Sequence, residues 1–316
     1  MDPRGDEQTA VEGFKSMERA DTPLVIVRLN GGLGNQLFQY ATGRMLADHH
    51  RTELKLDLSA FHTGKERTYR LNHLRVRERI AGDDEIDALC GPPRNSFRGI
   101  VFRLLQRMRP YHRRFVFQER CIGRYDPDIL RTPKSVYLRG YWQSEKYFLT
   151  VAGDIRREIA EIEPRDAHSR EMEKEMLRTA SASVHVRRGD YVTDPAACEV
   201  HGLCDGDYYR RCVRFLDERV KNLRLFIFSD EPDWVRRNMD LGSSAVVVDH
   251  NGGERDYEDL LLMSRCRYHI VANSSFSWWG AWLCDFQDKI VLAPRNWFRA
   301  GVLEETDIVP DSWIRM

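Results

Sequence analysis

The feature that most constrains the fold is a regular alternation of short apolar runs and amphipathic segments through the second half of the chain. The apolar runs occupy residues 183–186, 225–228, 245–248, 269–272 and 290–293, and the segments between them occupy 207–220, 231–239, 256–266 and 275–286. Short runs rich in Val and Ile are typical of strands buried in a parallel sheet. The segments between them have helical spacing, and we assign Asp207 and Asp256 as helix caps. Five strands alternating with four helices predict a doubly wound α/β domain.

The first half of the chain begins with the same pattern and then becomes irregular. The predicted elements are a strand at 24–29, a glycine loop at 30–34, a helix at 35–49, strands at 54–58 and 135–140, and a helix from about residue 144. The Arg-rich stretch 59–135 has no clear period, so we interpret it as irregular. The charged, helical stretch 154–180 would bridge the two halves.

These patterns together predict two Rossmann-like α/β domains that face a cleft. Residues 1–22 are polar and expected to form a disordered tail, the first domain spans 23–160, and the second spans 161–316. Ligands of open α/β sheets lie outside the carboxyl ends of the strands. Side chains that directly follow a predicted strand are therefore the candidates for a functional site.

Composition excludes several classes of protein. The 49 basic and 49 acidic residues give no net charge, which argues against a general nucleic-acid binder. The seven cysteines are odd in number and form no CxxC pair, so we expect a reducing compartment rather than a disulfide framework. We find neither a signal peptide nor a run of about 18 apolar residues, and we expect a soluble, cytoplasmic protein. The sequence Cys198-x2-His201-x2-Cys204 is more typical of a loop than of a metal site.

The first candidate segment is the glycine loop at 30–36. Gly32 and Gly34 lie between a strand and a helix, where glycine allows close backbone approach and a helix start offers N–H donors. The glycine spacing matches neither a dinucleotide loop nor a Walker loop. Asn35 and Gln36 place two amides at the tip, which suits a ligand rich in hydroxyl groups. A plain tight turn remains an alternative.

The second candidate segment, residues 185–191, follows the predicted strand at 183–186. Strand alternation places His185 and Arg187 on one face, and a fixed guanidinium would stabilise the negative charge of a departing diphosphate. Asp190 is a candidate to orient an Arg or to cap the loop. The alternative is a structural ion pair between Arg188 and Asp190.

The third candidate is Asp230, which also follows an apolar strand. Its carboxylate can accept two hydrogen bonds from a base edge such as N1 and N2 of guanine. The alternative is helix capping, because Ser229-Asp230-Glu231-Pro232 has good capping chemistry.

The fourth candidate segment is 273–282. Asn273, Ser274 and Ser275 precede a predicted helix, where backbone N–H and hydroxyl donors form an anion cradle. Either Phe276 or Trp278 could pack on a base or sugar. The spacing of Trp279 and Trp282 favours core packing instead. Two DxD patterns, at 126–128 and 205–207, are interpreted as a turn and a helix cap, and no metal is assigned to them.

Residues 97–108 predict a basic amphipathic helix. Apolar residues at 97, 100, 101, 104, 105 and 108 form a stripe, with Arg residues around it and at 109, 113 and 114. The stripe could rest on an anionic membrane, as a peripheral contact of Phe97–Arg114 at the inner membrane face. Packing of the helix on the first domain is the alternative, and it is the one we favour.

Together the four segments resemble glycosyltransferase family 11, the α1,2-fucosyltransferases, in bacterial form. The resemblance rests on the motifs at 29–41, 140–143, 184–191 and 273–280 and spans about residues 25–293. It implies a GT-B architecture with the acceptor on the first domain and GDP-β-L-fucose on the second. It further implies inversion at the anomeric carbon without a metal or other cofactor. The implied acceptor is a galactose-terminated oligosaccharide or a lipid-linked glycan, with an α1,2 product.

The resemblance also implies roles for individual residues. Arg187 would contact the pyrophosphate, His185 would line the donor site, and Asp190 would support that loop. The phosphates and nucleoside would be held by residues 273–276, and Asn35 and Gln36 would face the donor sugar or acceptor. No general base is assigned, although His185 and Asp190 are candidates by proximity. Three alternatives stay open: a fucosyltransferase of another linkage (α1,6 or protein O-fucosylation), a nicotinamide dehydrogenase, and a non-catalytic carbohydrate-binding protein.

Overall fold

The computed structural model describes residues 22–63, 67–92, 95–162, 166–242, 244–299 and 307–316, so nearly all of the predicted tail lies outside it. Within these ranges the chain forms two parallel sheets flanked by helices. The strands are β1 Leu24–Arg28, β2 Glu53–Asp57, β3 Val116–Gln118, β4 Val136–Arg139, β5 Ala180–Val186, β6 Leu223–Ser229, β7 Ala245–Val248, β8 Tyr268–Ile270, β9 Ile290–Ala293 and β10 Ile314–Arg315.

The α-helices lie between the strands and are numbered along the chain. They are α1 Leu33–His50, α2 Ser59–Thr63, α3 Asp83–Cys90, α4 Phe97–Met108, α5 Ala152–Ala160, α6 Ala167–Arg178, α7 Gly189–Thr193, α8 Pro195–His201, α9 Gly206–Asp217, α10 Pro232–Asn238, α11 Asp256–Arg265 and α12 Ser275–Leu283. Short 3₁₀ helices occupy Leu71–His73, Tyr111–Arg113, Pro127–Arg131, Glu145–Tyr147, Leu149–Val151 and Gly253–Arg255. The predicted start of a helix near residue 144 is therefore wrong, because two 3₁₀ helices occupy this region and α5 begins only at Ala152.

The first sheet has the strand order β2-β1-β4-β3, and every pairing in it is parallel. The inner strand β1 is apolar because helices cover both faces of the sheet. Its residues Val25, Ile26 and Val27 are fully buried. Strand β3 lies within the stretch predicted to be irregular. With three residues it is too short to produce a detectable period, and its pairing with β4 defines it.

The second sheet has the order β10-β9-β8-β5-β6-β7 and is also wholly parallel. The chain adds β6 and β7 on one side of β5 and then β8 to β10 on the other. The order therefore reverses beside β5, and the crevice at the carboxyl ends of β5 and β8 is where open sheets bind ligands. The predicted α/β class with two Rossmann-like sheets is confirmed.

Helices α1 and α12 join the two halves in one apolar core. The ring of Phe38 on α1 lies 4.5 Å from that of Trp278 and 5.1 Å from that of Trp279. Trp279 and Trp282 are buried, as predicted for core residues. Trp278 is buried too and donates its indole N–H to the carbonyl of Ile308 at 2.7 Å, so it lies in the core and not against a ligand. The domain division at residue 160 stays a prediction, with strands β1 to β4 before it and β5 to β10 after it.

Two predicted helix caps are wrong. Asp205 caps α9, because its carboxylate accepts the N–H of Tyr208 at 2.7 Å, whereas Asp207 pairs with Arg210 on the surface. Asp256 is the first residue of α11, after the cap position of Arg255. The Asp126 motif forms the predicted turn, in which its carboxylate accepts the N–H of Asp128.

The helix predicted at 97–108 packs on the first domain, as favoured, but the face that it buries is not the apolar stripe. Helix α4 forms over the predicted residues, but Gly99, Phe102 and Gln106 form its buried face, whereas Phe97 and Met108 are each 76% exposed. Among the residues that the structure describes, no helix is long and apolar enough to cross a bilayer.

Candidate functional site

A cleft of about 420 Å³ lies at the carboxyl ends of the strands and is lined by both halves of the chain. Ten of the twelve residues predicted for the site lie on its wall: Gly32, Gly34, Asn35, His185, Arg187, Asp230, Asn273, Ser274, Ser275 and Phe276. The tertiary structure therefore brings the four candidate segments together. Gln36 does not line the cleft, and the side chain of Asp190 lies outside the described part of the structure.

The first turns of α1 and α12 meet at Gly34. A Cβ atom at this position would lie 2.5 Å from the backbone nitrogen of Phe276 and 2.5 Å from the carbonyl carbon of Ser275. No side chain fits that space, so glycine is required for the two helix starts to approach. The N–H groups of a first helical turn have no intrahelical acceptor and carry partial positive charge. Two such ends lie at one cleft wall, and an arrangement of this kind is suited to bind an anion.

The neighbouring amides Asn35 and Gln36 have different roles. The Asn35 side chain lines the cleft and accepts a hydrogen bond from Gln143 Nε2 at 2.9 Å. Gln36 is fully buried, donates to the carbonyls of Gly31 and Thr68, and accepts from the Arg70 N–H, each at 2.9 Å. The structure thus corrects the predicted placement of Gln36, which supports the glycine loop from behind.

Arg187 is held in the cleft by Asp230. One guanidinium nitrogen of Arg187 lies 3.1 Å from Asp230 Oδ2, and the other carboxylate oxygen accepts the backbone N–H of Arg188 at 3.0 Å. Burial raises the pKa of Asp230, while the charge of Arg187 and these hydrogen bonds oppose that rise. Asp230 therefore orients the Arg187 loop. Its predicted role as a guanine reader stays a prediction.

Arg188 does not line the cleft, and its side chain contacts other protein side chains instead. Its Nε lies 3.2 Å from Glu231, and its guanidinium stacks 3.7 Å from the ring centroid of Trp234. The described ion-pair partner of Arg188 is Glu231. The alternative of an ion pair between Arg188 and Asp190 stays a prediction, because the Asp190 side chain lies outside the described residues.

His185 lines the cleft from the end of β5. Burial, together with the nearby charge of Arg187, lowers the pKa of His185 to about 3, so the imidazole is neutral at physiological pH. Its Nδ1 is buried and has no hydrogen-bond partner among the described residues, and its ring centroid lies 5.5 Å from that of Phe276. Such a group can donate or accept one hydrogen bond toward a ligand, but it is too weakly basic to be an efficient general base.

Asn273 and Ser274 shape the start of α12. The Asn273 side chain donates to the carbonyl of Trp297 at 3.2 Å, and the backbone carbonyl of Asn273 accepts the Tyr191 hydroxyl at 3.1 Å. Ser274 caps the helix by accepting the N–H of Phe276 at 3.4 Å. These contacts therefore fix the position of the first turn of α12 at the cleft wall.

Several further lining residues were not predicted as site residues, among them the polar residues Arg67, Gln143, Asp256 and Asp259. Burial raises the pKa of Asp256, and its Oδ1 is buried with no hydrogen-bond partner in the described ranges. Burial also raises the pKa of Asp259 to about 7, although Asn251 donates to this carboxylate at 2.7 Å. The available signal in the sequence was a pair of acidic residues, three positions apart, at a predicted helix start that follows a strand. We assigned Asp256 to helix capping instead.

The described side chains include no group of three His, Cys, Asp or Glu residues arranged to hold a metal ion. Of the two DxD patterns, the Asp126 carboxylate accepts hydrogen bonds from Nε and Nη2 of Arg120 at 2.8 and 2.7 Å, and Asp205 caps α9. In the Cys198-His201-Cys204 segment, the His201 side chain lies outside the described residues.

Two parallel α/β sheets with a cleft at the carboxyl ends of their strands give the chain a GT-B-like architecture. The model of glycosyl transferase family 11 matches residues 120–316, and the chain belongs to this family, as its motifs predicted.

Full-length relatives support this assignment. The chain is 35% identical to the Alpha-1,2-colitosyltransferase of Escherichia coli over 93% of this chain and 99% of that protein. It is 30% identical to the O-antigen biosynthesis glycosyltransferase WbnK of Escherichia coli over 91% and 99% of the two chains. Apart from these two relatives, on which the assignment rests, the chain is similar to the solved structure of NodZ alpha-1,6-fucosyltransferase, at 18% identity and a TM-score of 0.47 over 84% of this chain and 96% of that one.

Proposed function

We propose that this family 11 glycosyltransferase transfers L-fucose from GDP-β-L-fucose to the 2-hydroxyl of a terminal galactose, with inversion at the anomeric carbon. The observation that carries the proposal is the meeting of the α1 and α12 starts at Gly34, in the same cleft as Arg187. This arrangement offers one guanidinium and two sets of backbone N–H groups to a single anion.

The diphosphate of the donor would lie against this surface. As the bond from the anomeric carbon to the β-phosphate breaks, negative charge develops on the leaving oxygen. Donors that are already oriented stabilise that charge without reorganisation, which is typically the largest contribution to catalysis. Asp230 supplies the orientation, because its contact at 3.1 Å fixes the direction of the Arg187 guanidinium.

The nucleoside would lie toward α11. Asp256 contributes a buried acceptor atom with no partner among the described residues, and burial of an unsatisfied acceptor carries a cost that a ligand donor removes. Ribose hydroxyls and the N1 and N2 edge of guanine are donors of the required kind. The ring of Phe276, next to His185 in the same wall, offers an apolar surface for the base.

The sugar and acceptor would lie toward the first sheet. Asn35 and Gln143 are linked to each other and line the cleft, and amides bind sugar hydroxyls both as donors and as acceptors. Arg67 lies on the same side, near Gly32. The acceptor oxygen would attack the anomeric carbon from the face opposite the diphosphate, in a single displacement. We assign no general base.

The second candidate donor is GDP-colitose, which differs from GDP-fucose by the absence of the 3-hydroxyl group. It is favoured by the 35% identity to a protein named as an Alpha-1,2-colitosyltransferase. A site that binds the 3-hydroxyl rejects the deoxy sugar strongly, whereas an apolar site does not.

Parallel assays with the two donors test the proposal. The purified chain is incubated with each donor and a panel of galactose-terminated acceptors, with and without EDTA, and the product linkage is read by NMR. We expect an α1,2 product with one donor strongly preferred, and no loss of rate with EDTA. Transfer to another hydroxyl, to protein, or from neither donor would reject the proposal.

A further inference from the structure

Helix α4 exposes the apolar side that an amphipathic helix ordinarily buries. Its contacts with the protein use Gly99, Phe102 and Gln106, and Gln106 accepts the backbone N–H of Phe115 at 2.9 Å. The exposed residues of the helix include five large apolar side chains: Phe97 76%, Ile100 55%, Leu104 60%, Leu105 39% and Met108 76%.

The geometry of the helix places these residues directly opposite the buried side. At about 100° per residue, Phe97, Leu104 and Met108 lie roughly 180° from Gln106. The apolar face thus points away from the protein. Exposed apolar patches of this kind on a folded chain mark interaction surfaces.

The charges around this face have one sign. Arg98 and Arg107 are exposed and lie on the two flanks of the apolar face, and Arg113 is exposed just beyond the helix. No Asp or Glu occurs between residues 88 and 118. A partner that covers the apolar side chains must therefore also carry negative charge.

We propose that α4 docks on an anionic lipid surface. Its apolar face would enter the acyl boundary, while the flanking guanidinium groups would contact the lipid phosphates, as in basic amphipathic helices that lie in a membrane interface. A second copy of the chain does not fit, because face-to-face contact would bring two rows of Arg together. This docking is independent of the donor proposed above.

Vesicle flotation with the full chain tests the docking. One vesicle is phosphatidylcholine alone, and the other contains phosphatidylglycerol in addition. We expect binding to the anionic vesicle only. In the variant Ile100→Ser/Leu104→Ser the vesicle-bound fraction should fall about tenfold or more, because each removes an exposed apolar side chain from the interface. Arg98→Gln/Arg107→Gln should lower it as well and reduce its salt dependence.

Two control variants separate the surface from general effects. Leu177→Ser removes an exposed apolar residue of α6 that is 51% exposed, and Arg211→Gln/Arg214→Gln removes two exposed charges of α9. Both should bind as wild type does, and all variants should retain the far-UV spectrum and the rate with a soluble acceptor.

Two outcomes would overturn the proposal. One is anionic-vesicle binding that survives Ile100→Ser/Leu104→Ser. The other is the absence of vesicle binding by the wild type. This outcome covers both a wild type that is monomeric and one that forms a dimer which Ile100→Ser/Leu104→Ser dissociates. The dimer would identify α4 as a contact between copies, and the monomer would direct the search to an acidic protein.

Discussion

Gly34 lies so close to Phe276 that a single added Cβ would approach the Phe276 backbone nitrogen to 2.5 Å. The two residues belong to opposite halves of the chain and lie in the first turns of two helices that line the cleft. The contact couples the relative position of the helix starts to the binding surface.

Replacement of Gly34 by Ala should separate these helix starts. We expect GDP affinity and kcat/KM to fall at least about tenfold, because backbone donors act only within a narrow range of distances. Calorimetric titration with GDP measures the affinity. The control is Gly280→Ala on α12, the helix that contains Phe276. There the new Cβ would meet side-chain atoms of Met263 at 2.8 and 2.9 Å. It should lower Tm and leave GDP affinity unchanged, and equal losses of affinity in both variants would contradict the assignment.

Removal of the Arg187 guanidinium should affect the chemical step. Arg187→Ala is expected to lower kcat by about 10²–10³-fold, as loss of one preorganised donor typically does. The matched control is Arg188→Ala, since Arg188 stacks on Trp234 and does not line the cleft. Steady-state kinetics with saturating donor distinguish the two. Near-normal turnover by Arg187→Ala would remove this residue from the mechanism.

Asp230 should act through Arg187. We expect Asp230→Asn to reduce kcat/KM about tenfold, because its contact with the guanidinium loses charge assistance. In an Arg187→Ala background the same substitution should have little further effect, since residues in one contact pair are not additive. A double-mutant cycle measures this coupling. Additive losses would instead favour direct contact of Asp230 with the donor.

Asp256 should recognise the nucleoside and not the phosphates. Asp256→Asn is expected to weaken GDP binding about tenfold, because a neutral amide replaces a charged acceptor. Inhibition by inorganic pyrophosphate should stay unchanged. Asp207→Asn, at a residue that is 69% exposed, serves as the control. Equal weakening for GDP and pyrophosphate would place the effect on the phosphates.

His185 should make the protein sensitive to acid. Its pKa is lowered to about 3 from the ordinary 6.5, so the unfolded chain binds a proton that the native chain does not. Above pH 6.5 the imidazole is neutral in both states, so the free energy of unfolding is highest there with respect to this site. It should decline as pH falls toward 3, by about 1.4 kcal/mol per pH unit. Urea unfolding of wild type and His185→Gln from pH 7 to 4 compares the slopes, and identical slopes would show that His185 does not contribute.

The main elements of the fold could be predicted because their signals are local. Val-rich and Ile-rich runs marked the core strands of both sheets, and helical spacing marked α1 and α9 to α12. Strand β10, with two residues paired to β9, has no local signal, and only its neighbour defines it.

The candidate site was predictable as a set of segments but not in the role of each side chain. Asn35 and Gln36 are adjacent amides that the sequence cannot distinguish. Contacts with Thr68 and Arg70 withdraw Gln36 from the cleft, and these contacts exist only after folding. Asp256 was equally hidden, because a carboxylate at a helix start is ordinarily a matter of capping.

The sequence alone determined the α/β class, the family and the segments that supply the site, because apolar periodicity and motif spacing are properties of neighbouring residues. The tertiary structure decided which side chains line the cleft. The pairing of Arg187 with Asp230, the meeting of Gly34 with Phe276 and the outward apolar face of α4 all depend on which distant elements pack together. Packing of this kind is set by the whole core, so no local pattern encodes it.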